Sequence, residues 1–154
     1  MPNELVIDTN VLVYASNNDD YAKKQDCINF IDNLIISNEV IFIDLSIDPN
    51  KGIIAHEYYK HLNVGDYGYV LLEKLLSENR IMFIVSTVHP HINKKIYPRI
   101  KKEKAWDRVF VRVAYKTANK ILVSHDYEDF TISNREYFRK EIGVHIIEAG
   151  DYIN

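Results

Sequence analysis

The chain has 154 residues, 47% hydrophobic and 27% charged, with 19 basic and 22 acidic side chains. That length suits one domain, residues 1–154, which buries about 70% of its unfolded surface without a staple, and the single cysteine, Cys27, excludes disulfide, zinc-ribbon and multi-thiolate frameworks. Five glycines and four prolines beside an ordinary apolar fraction exclude disorder, while a net charge of −3 argues, taken as a total, against a nucleic-acid partner.

Leu5-Val6-Ile7 reads as a short buried strand ending at Asp8. The apolar stretch Val11 to Ala15 runs into a polar break, Ser16-Asn17-Asn18-Asp19-Asp20. From Tyr21 to Ser37, Ala22, Cys27, Ile28, Ile31, Leu34 and Ile35 recur at helical intervals, with Asp20 as the expected N-cap. Val40-Ile41-Phe42-Ile43 predicts a second strand, and the turn-like Asp48 to Gly52 leads to helices over Ile53–Leu62 and about Tyr67–Ser77. A third strand is expected at Ile81 to Val85. His89 to Lys104, with two prolines and few apolar residues, reads as a loop with a helical exit. A helix over Ala105–Ala118, a strand at Ile121-Leu122-Val123, a helix near Arg135–Glu141 and a strand at Val144 to Ile147 complete the pattern.

Short apolar strands alternating with helices predict an α/β fold: three layers, α/β/α, around a central parallel sheet of about five strands. Met1-Pro2-Asn3-Glu4 lacks the basic start of a targeting segment, and no run approaches 18 consecutive apolar residues. The expectation is a soluble, cytoplasmic protein with no membrane partner.

Parallel sheets carry functional groups at the carboxyl ends of their strands. Asp8 ends the first strand, and Asp126 follows the fourth in Ser124-His125-Asp126-Tyr127-Glu128-Asp129-Phe130. Two further acids, Glu57 and Asp107, lie within helices in otherwise apolar surroundings. Carboxylates that converge repel by about 4 kcal/mol per pair at 4 Å with an effective dielectric near 20, so such a cluster calls for a cation. Hard oxygen ligands without cysteine or paired histidine suit Mg²⁺ or Mn²⁺ rather than Zn²⁺.

The segment Leu5-Val6-Ile7-Asp8-Thr9-Asn10-Val11-Leu12 resembles the opening signature of PIN-domain ribonucleases. Glu57 stands where that family has a helix glutamate, and Asp107 with Val109-Phe110-Val111 and Ala114 resembles its helix aspartate segment. Leu122-Val123-Ser124-His125-Asp126 with Asp129-Phe130 resembles its last acidic motif, with Ser124 where the family often has threonine. The resemblance spans essentially the whole chain, in order. It implies a PIN-like fold and a metal-dependent endoribonuclease that hydrolyses RNA with Mg²⁺ or Mn²⁺. Carried over by position, Asp8, Glu57, Asp107 and Asp126 would be catalytic and hold the metal together with Asp129, supported by Thr9, Asn10 and Ser124. It also implies similarity to toxins of toxin–antitoxin pairs, with an antitoxin protein and a second copy of the chain as candidate partners. The alternative is a PIN-fold module that binds RNA or protein without cutting.

Other motifs lead elsewhere and fail. His56-Glu57-Tyr58-Tyr59-Lys60-His61 is one residue too long for a zincin helix, because histidines five apart diverge by about 140°. His89-Pro90-His91 alone does not make a metal site, and no glycine-rich phosphate loop occurs. The tyrosines Tyr58, Tyr59, Tyr67, Tyr69 and Tyr97 are mainly packing residues, with base stacking as a secondary option. The charge is unevenly distributed. Lys94, Lys95, Arg99, Lys101, Lys102 and Lys104 oppose only Glu103, giving +5 in eleven residues, so the remaining 13 basic and 21 acidic residues carry −8. Arg108, Arg112 and Lys116 continue at four-residue spacing, and Arg108 and Arg112 join the run as the expected RNA-binding rim beside Asp107.

Overall fold

In the computed structural model, which describes residues 2–17 and 19–153, the short apolar runs pair into one parallel sheet of five strands among the described residues. Met1, Asn18 within the polar break, and Asn154 lie outside that description. The strands are β1 (Glu4–Ile7), β2 (Val40–Asp44), β3 (Ile81–Ile84), β4 (Ile121–Val123) and β5 (His145–Ile147), in the order β3-β2-β1-β4-β5. Leu5 pairs with Ile41 on one side and Ile121 on the other, so β1 is central and its Leu5, Val6 and Ile7 are fully buried. A strand covered on both faces needs a continuous apolar run, which is why β1 and β4 show no polar alternation.

Helices flank this sheet to give the expected three-layer α/β/α arrangement. They are α1 (Thr9–Tyr14), α2 (Tyr21–Ile36), α3 (Ile53–His61), α4 (Tyr67–Ser77), α5 (Pro90–Ile96), α6 (Ala105–Lys116), α7 (Ile132–Ile142) and α8 (Ala149–Tyr152). Asp20 caps α2 by accepting from the Lys23 amide, as its position predicts, and α6 packs across β2, β1 and β4. Its buried Val109, Phe110, Val113 and Ala114 recur at helical spacing against the sheet.

The segment 89–104, read from sequence as a loop with a helical exit, contains α5 and two short 3₁₀ turns, Tyr97–Arg99 and Lys102–Lys104. Pro90 supplies a preset first helical residue, His89 Nδ1 accepts from the His91 amide, and Ile92 and Ile96 bury one helical stripe. Sparse apolar content concealed a helix that needs only two anchors. Residues 149–152 add α8, which packs on α2.

The chain builds outward from β1 through β2 to β3, then crosses back to place β4 on the other side of β1. The strand order therefore reverses between β1 and β4, and a crevice opens there at the carboxyl ends. That crevice receives the residues after Ile7 and after Val123.

Candidate metal centre

Asp8 is the first residue beyond β1 and the N-cap of α1, with its Oδ1 accepting from the Thr9 amide at 2.8 Å. Its Oδ2 accepts from Ser124 Oγ at 2.7 Å and from Asn10 Nδ2 at 3.2 Å. Ser124 follows β4 directly, and its hydroxyl also accepts from the Asp126 amide at 3.0 Å. Asn10 Oδ1 accepts from the His125 amide at 3.0 Å. Ser124 and Asn10 thus tie the ends of two neighbouring strands to a single carboxylate. Both are among the residues that the sequence resemblance names as supporting, and both hydrogen-bond to the Asp8 carboxylate.

Asp126 sits in the loop after β4, where its Oδ1 accepts from the Glu128 amide at 2.8 Å. Arg135 of α7 ties this loop down, donating to the carbonyls of Ser124, Asp126 and Phe130. Asp107 enters from the first turn of α6, where a carboxylate also complements the helix dipole. One ligand oxygen from each of Asp8, Asp107 and Asp126 lies within 4.8 Å of the others. Asp8 and Asp107 are only 5% and 4% exposed.

Burial above all, then the neighbouring charge of Asp126, pushes the Asp8 carboxyl from 3.8 up to about 6, against the lowering effect of the Ser124 and Thr9 hydrogen bonds. Burial likewise raises Asp107 far above the usual carboxylate range, followed by repulsion from Asp8 and a carboxyl–carboxyl hydrogen bond with Asp129. In both groups desolvation dominates and the neighbouring carboxylates add to it, so Asp8 and Asp107 hold their protons more tightly than free carboxyls do. Thr9 lines the same cleft, and its buried Oγ1 has no hydrogen-bond partner among the described residues. A metal ion fits this donor set of all-oxygen ligands, tightly held carboxyl protons and an unsatisfied hydroxyl.

Asp129 and Glu57 also line the cleft, whose volume is about 300 Å³, but neither belongs to the converging trio. Glu57 instead lies 3.8 Å from His61 Nε2 on its own helix. His56 opens onto a neighbouring groove rather than this cleft, so the two histidines of α3 face different spaces.

The cations of the basic run separate in space. Lys104 lines the acidic cleft, and its Nζ lies 5.5 Å from the Trp106 ring centroid. Lys94, Lys101 and Lys102 are exposed, Lys95 pairs with Glu141, and Arg99 stacks on Tyr137. Arg108 donates to the carbonyls of Ile100 and Tyr97, and Lys116 to those of Val85 and Thr87. Arg112 lines the neighbouring groove.

Two structural contributors had escaped the sequence reading. Asp44, fully buried at the end of β2, caps α3 by accepting from the amides of Ile53 and Ile54 at 2.9 and 2.8 Å. Gly52 permits this approach, since a Cβ there would collide with the Ser46 and Asp44 carbonyls. The signal was present, because Asp44 ends its strand as Asp8 follows β1. Arg135 had no such signal; its partners are backbone carbonyls brought together only by folding. No family model matches the chain, and no curated protein matches it.

Proposed function

We propose that this protein is a metal-dependent endoribonuclease with a PIN-like site, hydrolysing RNA phosphodiesters with Mg²⁺ or Mn²⁺ held by Asp8, Asp107 and Asp126. The observation that carries the reading is the convergence of those three carboxylates, from three separate elements, at the switch point of a parallel sheet. The ordered motifs at Asp8, Asp107 and Asp126, similar to those of PIN-domain ribonucleases, supply the reaction class. When bound, the cation lowers the pKa of water and offsets charge on the phosphoryl oxygens.

The chain's own groups hold and aim the ligands. Ser124 and Asn10 fix the Asp8 carboxylate, leaving rotation about its side chain restricted. Asp129 shares a hydrogen bond with Asp107, which would release its proton to solvent on holding the cation. Glu57 stands at the margin of the cleft, suited to a second ion or a bridging water rather than to the central trio. Lys104 supplies the cationic edge that a phosphate backbone needs beside an acidic pocket. An antitoxin protein or a second copy of the chain is a further proposed partner, on the resemblance to toxins of toxin–antitoxin pairs.

The test is cleavage of a labelled RNA with and without Mn²⁺, comparing wild type with Asp8→Asn and Asp126→Asn. Metal-stimulated cleavage that both substitutions abolish, with folding intact, supports the nuclease. RNA binding without cleavage at any metal concentration favours the non-cutting module instead.

A further inference from the structure

We infer that the groove between α3 and α6 is a single-strand subsite: an unpaired base stacks on Trp106 and the adjoining phosphate is held by Arg112, Lys51 and Lys60. The inference rests on the nucleic-acid reading of the acidic cleft and adds where the strand runs and which side chains seat a base and its phosphate. The groove has a volume of about 550 Å³ and shares two residues, Glu57 and Trp106, with the acidic cleft, so one continuous depression serves both. Its walls are two facing helical stripes. Ile53, His56, Glu57 and Lys60 come from α3, and Ala105, Val109 and Arg112 from α6. Spacings of three, four and seven residues put each set on one helix face.

Three features of this groove ask for an anionic, aromatic ligand. First, Arg112 is half-buried, and among the described residues its guanidinium has no hydrogen-bond or ion-pair partner. The nearby Asp44 carboxylate offsets part of the Arg112 charge but makes no ion pair with it among the described residues; its own hydrogen bonds cap α3. Second, Lys51 and Lys60 are exposed and lack acidic partners among the described residues, unlike Lys95, which is paired with Glu141. Third, Trp106 is 36% exposed at the junction of cleft and groove, beside exposed Ile53. A large indole left accessible between the acidic cleft and a groove carrying Arg112, Lys51 and Lys60 suits a base of a strand that runs through both. Base–aromatic stacking is tolerant of sequence but requires an unpaired base. A duplex would keep its bases from the indole.

Trp106 is the protein's one tryptophan and therefore reports on its own site. The experiment titrates the full chain, in EDTA and low salt, with a six-nucleotide oligoadenylate while following indole fluorescence. Saturable quenching is expected, absent with an abasic oligomer of equal length and charge and weak with an RNA duplex. Arg112→Ala should raise the dissociation constant roughly tenfold, with Arg112→Lys intermediate and Lys60→Ala smaller, each checked for folding by circular dichroism. Equal quenching by the abasic oligomer or the duplex overturns the inference. So does unchanged affinity in folded Arg112→Ala, or tighter binding of oligoglutamate, which would assign the groove to an acidic protein. Because EDTA removes catalysis, the two readings fail separately. Metal-dependent cleavage without quenching overturns the groove alone, and quenching without cleavage overturns the nuclease alone.

Discussion

Replacing Asp8 by asparagine separates the charge of the cleft from its shape. The wild-type carboxyl is displaced from 3.8 to about 6, so the folded chain retains this proton at a pH where the unfolded chain has lost it. A raised carboxyl contributes its stability below the unfolded value. That contribution declines as pH climbs from about 4 to about 6 and is absent above. The displacement corresponds to about 3 kcal/mol, a cost that the metal-free fold bears near pH 8. Asparagine carries no charge. Its carbonyl still accepts from the Thr9 amide, and the Ser124 hydroxyl turns to accept from the new amide group. The Asn10 amide loses its acceptor, at a cost of about 1 kcal/mol. The net gain near pH 8 in EDTA is about 2 kcal/mol, or a rise in Tm of about 4–8 °C for a chain of this length. Near pH 4 the gain vanishes and only the small loss remains. Thermal melts followed by circular dichroism at both pH values read the difference directly. Adding Mn²⁺ should raise the wild-type Tm and leave the variant unmoved, reversing their order. A variant less stable than wild type by the same amount at both pH values would refute the charge argument, since only the shape of the site would then matter.

Lys101→Ala with Lys102→Ala should weaken RNA binding modestly and flatten its dependence on salt, measured by anisotropy across a salt series. An unchanged slope removes these exposed lysines from the rim. Gly68→Ala brings a Cβ within 2.6 Å of the Leu12 carbonyl oxygen, where α4 crosses α1, and should cost about 1–3 kcal/mol in chemical denaturation. Tyr58→Phe deletes the buried hydroxyl that donates to the Ile7 carbonyl at 2.5 Å, next to Asp8. It should lower stability by about 1–2 kcal/mol while leaving metal affinity nearly unchanged by calorimetry.

The sequence by itself determined the layer plan. Apolar runs of three to five residues cannot form helices of useful length, and their alternation with amphipathic stretches leaves a parallel sheet as the way to cover both faces. From that plan alone Asp8 and Asp126 belong at the carboxyl edge, because each follows a strand. The partners of those two acids were decided by tertiary structure. Asp107 and Glu57 look alike in sequence, yet α6 crosses β2, β1 and β4 and delivers Asp107 to the trio, whereas α3 leaves Glu57 at the margin beside His61. The basic run likewise reads as one block from Lys94 to Lys104. Folding divides it, giving Lys104 to the cleft and Lys95 to Glu141, while Arg108 further along ties down loop carbonyls. The reason is geometric. Local spacing sets which face of a helix a residue occupies, but the distance between Asp8 and Asp126 depends on β4 returning to the side of β1, a pairing between residues more than a hundred positions apart.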